Sequence, residues 1–154
     1  MVFFFGAENP FSNWHPASFV VKGVEFSNTE QFMMYCKAKL FGDELAAMAI
    51  LNAKTPREQK ALGRKVRGFV QAVWDAKCER YVELGCLAKF RQNPAMGEAL
   101  LATGDAELVE ASPYDRIWGV GLSANDPKIF DKSQWQGLNL LGNVLMRVRI
   151  KLNK

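Results

Sequence analysis

A carboxylate and an amine seven residues apart, Glu30 and Lys37, are the side chains here whose types and spacing most directly suggest chemistry. On a helix they share one sector with Met33, about 10 Å apart along the backbone by the helical rise. Long side chains could converge on a ligand between them. Asp115 offers a further carboxylate. A carboxylate pair can run glycosidic cleavage, one member protonating the leaving atom while the other activates water. A partly buried Lys of lowered pKa can instead attack an aldehyde-like sugar carbon and form a Schiff base. Spacing does not choose between these routes, and a capped helix showing one Glu and one Lys is also an ordinary solvent face.

Two loops add to this set. Asn9-Pro10-Phe11-Ser12-Asn13-Trp14-His15-Pro16 packs an amide, two aromatics and the only His into a turn-rich segment, the kind of loop from which ligand sites are built. Ser112-Pro113-Tyr114-Asp115-Arg116-Ile117-Trp118-Gly119-Val120-Gly121 joins a carboxylate, a guanidinium, two large aromatics and two glycines that permit close backbone approach. Neither a dinucleotide fingerprint nor a P-loop is present. With one His and no nucleophile elbow, a serine triad would have to use His15. Cys36, Cys78 and Cys86 lack zinc spacing and an even count, so a reducing, cytoplasmic setting is expected, with no metal and no cofactor. Arg64, Lys65 and Arg67 form a basic knot, and Trp74 is either core or a stacking platform for a ring.

The elements that must position these groups follow from capping and periodicity. Val2 to Phe5 reads as a short strand, and Ser18–Lys22 with Val24–Ser27 reads as a hairpin turning at Gly23. Thr29 is expected to cap a helix from Glu30 to about Phe41, which leaves Glu30 in the first turn near solvent. Asp43 caps a second helix to Leu51, and Thr55-Pro56-Arg57-Glu58 opens a short third one. The longest helical pattern is Val73 to Arg91, and Asn93-Pro94 opens the next in cap-plus-proline manner. Glu107 to Ala111 alternates as a strand. From Gly137 onward Leu138, Leu141, Val144, Leu145, Met146 and Val148 form the buried face of a terminal helix, with Asn139 at its opening as a cap or a ligand group.

Length and composition bound the class. The chain of 154 residues is 49% hydrophobic and 23% charged, as a soluble globular domain should be. No stretch has the length of a signal peptide or a span. A mostly α-helical single domain of the α+β class, with helices packed around a small sheet, is expected over residues 1–154. The net charge of +4 favours anionic partners such as phosphates. It is thin for a general DNA binder, which makes a non-catalytic nucleotide or nucleic-acid binding module the competing class.

The ordered set Phe11-Ser12-Asn13-Trp14, Gly23, Phe26-Ser27, Glu30, Lys37, Gly63-Arg64, Trp74, Asp115, Trp118-Gly119, Gly137, Asn139, Leu141-Gly142 and Leu145-Met146 resembles the NADAR superfamily, the YbiA-like proteins. The resemblance runs over nearly the whole chain. It implies an N-glycoside hydrolase acting on a ribosylated heterocycle: ADP-ribose on guanine in nucleic acid, or a phosphorylated ribosylamino-pyrimidine of riboflavin biosynthesis. It also implies functional pairing with an ADP-ribosyltransferase toxin. Carried over, Glu30 is the acid or base, Lys37 a Schiff-base nucleophile and Asp115 a third catalytic group. Asn13, Trp14, Arg64, Trp74, Trp118, Gly119 and Asn139 are the implied substrate-binding residues. The sequence departs from the bacterial pattern with Trp14 for Phe, Phe26 for Trp, Thr29-Glu30-Gln31 for Ser-Glu-His, and Asn125-Asp126-Pro127 in the loop after Gly121. These changes bear on substrate size and leave the reaction class in place.

Overall fold

The computed structural model describes residues 1–154. In chain order the elements are β1 (Val2–Phe4), β2 (Phe19–Val21), β3 (Val24–Phe26), α1 (Thr29–Leu40), α2 (Glu44–Asn52), α3 (Pro56–Gly63), α4 (Gln71–Gln92), α5 (Pro94–Leu101), β4 (Leu108–Glu110) and α6 (Leu140–Leu152). Helix α4 is the spine, packed against α1 on one side and α6 on the other. Its buried residues Trp74, Cys78, Val82, Cys86 and Phe90 recur every four, so they face one core with Ile50, Leu100, Leu108, Leu141, Leu145 and Val148. The three Cys behave as small hydrophobes in helices and remain unpaired.

The expected mostly helical architecture with a small amount of sheet is what forms, although the strands make two separate pairs. The β2–β3 hairpin turns on Lys22 and Gly23, whose φ values of 48° and 80° are the left-handed pair that a two-residue turn requires. Its inner residues Phe19 and Phe26 close on Phe32 of α1, with the Phe26 and Phe32 rings meeting edge to face at 5.0 Å. The N-terminal strand instead finds a partner a hundred residues away: β1 runs parallel to β4 with Val2 opposite Leu108 and Phe4 opposite Glu110. Parallel pairing needs a long crossover, and here the crossover is the helical body from α1 to α5.

Three expectations are corrected. The N-cap of α1 is Asn28, one residue before Thr29, because the Asn28 side chain accepts from the Gln31 amide at 2.8 Å. Asn93 stands at the N-cap of α5 before Pro94, but its side chain makes no capping bond; its side-chain amide donates to the carbonyls of Ser18 and Lys89 and ties the hairpin to α4. Leu138 is exposed, since α6 begins only at Leu140 and the residues before it belong to a loop.

Helix α6 crosses β4 at Gly142, where a methyl would strike the Leu108 carbonyl and the Asn139 side chain. Gly142→Ala is therefore expected to lose about 1–3 kcal/mol of stability through overpacking, measurable as a lower urea midpoint with an unchanged m-value.

Candidate active site

One cleft of about 970 Å³ opens where the first turns of α1, the end of α3 and the loop after β4 meet. Each wall is held by bonds between segments distant in sequence. On the first wall, the Glu30 amide, a donor that the helix itself cannot satisfy, gives its hydrogen bond to the Asn13 carbonyl at 3.0 Å. The same loop is gripped from behind by Lys89, fully buried on α4, whose Nζ donates to the Pro10 carbonyl at 2.6 Å and the Ser12 carbonyl at 3.0 Å. Asn13 is buried too, and its Oδ1 faces the Cys86 thiol. Thus the Asn-Trp loop is fixed over the start of α1.

The second wall is α3. Asn28 Nδ2 donates to Gln59 Oε1 at 2.9 Å, docking α3 against the cap of α1. Lys60 on α3 and Arg64, the C-cap residue one turn later, line the cleft, with Lys60 Nζ 5.9 Å from the Trp14 ring centroid.

The third wall is built on the end of β4. Ser112 Oγ accepts from the amides of Tyr114 and Asp115, and Asp115 Oδ1 accepts from those of Ile117 at 2.9 Å and Trp118 at 2.8 Å. The loop is thereby rigid while Asp115, Trp118 and the 86% exposed Tyr114 line the cleft. Gly119 is buried against it, with the Asp115 and Glu110 carbonyls each 3.0 Å from where a Cβ would stand. Asn139 stands at the N-cap position of α6 in left-handed backbone at φ 52°, and its side chain makes no capping bond. Its side-chain amide takes the place of a missing strand on β4, accepting from the Glu110 amide at 3.0 Å and donating to the Leu108 carbonyl at 2.9 Å.

The fold therefore brings Asn13, Trp14, Glu30, Lys37, Arg64, Trp74, Asp115 and Trp118 to one cleft. Gly119 and Asn139 stand behind the cleft wall and shape it through the backbone. Trp74 belongs to both worlds, buried in the core and stacked on Tyr81 at 6.1 Å while one side lines the cleft. Trp135 lies elsewhere, its indole donating to the Ile129 carbonyl. Two charged lining residues, Lys60 and Glu110, are not among the candidates drawn from the sequence. Lys60 could have been found as the residue one helical turn before Arg64. Glu110 could have been found as an acid ending an apolar strand just before the Asp115 loop.

The site residues are electrostatically unusual. Glu30 is only 4% exposed, not near solvent as the helix-start argument suggested, because the Asn13 loop covers it. Burial pushes its carboxyl up to about 7, with Asp115 adding to the rise and Lys60, Lys37 and Arg64 opposing it. Lys37 is half-buried with its Nζ 4.5 Å from the Phe69 ring centroid and 5.9 Å from that of Trp74. Burial holds its pKa below the usual lysine value, and Arg64 lowers it further against the pull of Glu30. Such an ammonium releases its proton more readily than a surface Lys, as a nucleophilic amine must. Burial also raises Glu110 to about 8, with the Asp115 and Glu30 charges adding to it. No group of three or more His, Cys, Asp or Glu side chains is placed to share a metal ion.

Comparison with known proteins gives the family and the fold. An N-glycosidase of Acanthamoeba polyphaga mimivirus is 42% identical, the alignment covering 96% of this chain and 94% of the viral one. The irg-1 protein of Caenorhabditis elegans is 38% identical over 98% of this chain and 79% of its own. The solution structure of Escherichia coli YbiA superposes with a TM-score of 0.80 at 26% identity, covering 99% of this chain and 84% of the bacterial one. The NADAR domain matches residues 3–153, so the chain belongs to the NADAR domain family.

Proposed function

We propose that this protein hydrolyses the N-glycosidic bond of a ribosylated heterocycle, with ADP-ribose attached to guanine in nucleic acid as its substrate. The observation that carries the reading is the pairing of a buried carboxyl titrating near 7, Glu30, with a Lys of lowered pKa, Lys37, two turns on along the same helix in one cleft. Glu30 is poised to change protonation near neutral pH, as proton transfer requires, and burial makes Lys37 easier to deprotonate, as amine attack requires. Aromatic walls at Trp14, Trp74 and Trp118 suit a heterocycle, and Lys60 and Arg64 suit phosphates. The N-glycosidase name of the viral relative points the same way.

In this mechanism the ribosylamine opens to an imine at C1′. The neutral Lys37 amine adds to that carbon, the heterocycle leaves as a free amine, and a Lys37 imine remains. Water then adds at C1′, releasing the sugar and restoring Lys37, while Glu30 takes and returns protons. Arg64 neutralises a phosphate. The overall change is cleavage of one C–N bond by one water.

Incubation with ADP-ribosylated single-stranded DNA, followed by mass spectrometry, is expected to show free ADP-ribose released by the wild type and about 10²–10⁴-fold less by Glu30→Gln. Turnover only with a phosphorylated ribosylamino-pyrimidine would reassign the substrate, and turnover with neither would leave a binding module. Borohydride added during turnover is expected to leave a sugar adduct on the Lys37 peptide; its absence would indicate direct water attack. Stability gives a separate check. The Glu30 carboxyl has a folded pKa of about 7 against an ordinary 4.5, so the folded state holds the extra proton and stability falls as pH rises between those values. Glu30→Gln is accordingly expected to melt above the wild type at pH 8 and level with it at pH 4.

A further inference from the structure

Glu110 is a half-buried carboxyl in the cleft that the mechanism above leaves without a task. It ends β4, and its backbone is fixed on both sides: its amide donates to Asn139 Oδ1 and its carbonyl accepts from the Val120 amide at 3.0 Å. The side chain lines the cleft, yet its Oε2 is sealed from solvent and meets no donor or acceptor in the protein. A buried carboxyl oxygen left unpaired costs stability, and a structure retains it where a ligand completes it. The charged neighbours that act on it are Lys60 from α3, Glu30 from α1 and Asp115 from the following loop, so two acids and one cation face it.

The distribution of charge across the cleft gives the orientation of a substrate. The cations Lys37, Lys60 and Arg64 lie on α1, on α3 and at the C-terminal end of α3, the side suited to phosphates. The wall at the end of β4 carries Glu110, Asp115, Tyr114 and Trp118, and the guanidinium of Arg116 on this loop is engaged by Gln136. Phosphates are drawn to the three cations opposite, while a flat heterocycle can lie against the aromatic rings of this wall. This places the departing nitrogen on the Glu110 side.

We infer that Glu110 is a second catalytic carboxyl of this cleft, the group that protonates the departing heterocycle nitrogen while Glu30 serves the sugar side. The inference rests on the N-glycosidase reading and deepens it. When the adduct at C1′ collapses, the C1′–N electron pair goes to the heterocycle nitrogen and the Glu110 proton follows it. The Lys37 nitrogen forms the imine and gives its proton to Glu30. The two carboxyls then exchange protons with solvent, so the cycle closes without any other reactant. This division needs Glu110 protonated while Glu30 is ionised, the order favoured by the neighbouring charges, since Lys60, Lys37 and Arg64 all act on Glu30 and only Lys60 acts on Glu110. Activity should therefore rise with pH through the Glu30 transition and fall through that of Glu110.

The test compares wild type, Glu30→Gln, Glu110→Gln and Glu110→Asp on a series of N-ribosylated heterocyclic amines, from poor leaving groups to electron-poor ones that depart without a proton. Thermal melts run in parallel establish that each variant is folded. Glu110→Gln is expected to lose on the order of 10²-fold or more in kcat on the poorest leaving group, to approach the wild type on the best, and to lack the alkaline limb of the pH profile. Glu110→Asp should regain that limb in part. A Glu110→Gln enzyme whose leaving-group dependence and alkaline limb match the wild type overturns the assignment of Glu110 alone, provided Glu30→Gln remains inactive. Absence of wild-type turnover across the series overturns the N-glycosidase reading, and this assignment with it.

Discussion

The site depends first on how the Pro10–Trp14 loop is held. Glu30 offers an orphan helix amide to the Asn13 carbonyl, and Lys89 reaches from α4 to the carbonyls of Pro10 and Ser12. Lys89 has no acid beside it; burial holds its pKa down to about 8, and loop carbonyls and the face of Phe90, 4.9 Å away, are its company. A buried ammonium donating to backbone carbonyls stays in place only while those carbonyls stay in place, so loop and helix order each other. The consequence reaches the chemistry. The clamped loop covers Glu30, and that burial is what moves its carboxyl towards neutrality.

The opposite wall shows a parallel device made from different parts. Asn139, Gly119 and Gly142 belong to the ordered set of residues on which the family resemblance rests, yet none of the three lines the cleft. Asn139 completes the free edge of β4, Gly142 lets α6 pass close to that strand, and Gly119 lets the loop after Asp115 fold back on it. Together they fix the backbone of Glu110 and the loop that carries Asp115 and Trp118. Asp115 spends one carboxylate oxygen on the amides of Ile117 and Trp118, so its first service is to hold that loop.

The cleft opposes stability to activity. Glu30 and Glu110 are both raised by burial and by acidic neighbours, and the nearby cations offset only part of this. Neither side chain takes part in the ion pairs of the molecule, which lie at the surface, as between Arg147 and Glu79. Surface pairs of this kind contribute little. The stability that carries the strained cleft comes from the apolar core between α1, α4 and α6.

Local chemistry made much of this legible from the sequence alone. Proline and hydroxyl signals place α3, helical periodicity places α4 and α6, and Gly23 places the hairpin turn, because each depends on residues within a few positions of one another. The same holds for Glu30 and Lys37 sharing a helical sector. What the sequence could not decide is which groups would be buried and beside what. Whether Asn139 caps a helix, meets a ligand or mends a strand depends on β4, some thirty residues away. Whether Glu30 faces water depends on the loop at Asn13. Glu110 becomes a carboxyl with one sealed, unpaired oxygen only once α1, α3 and the Asp115 loop gather around the end of β4. Burial and electrostatic coupling are properties of neighbours in space, so the site as a chemical object was settled by the tertiary structure.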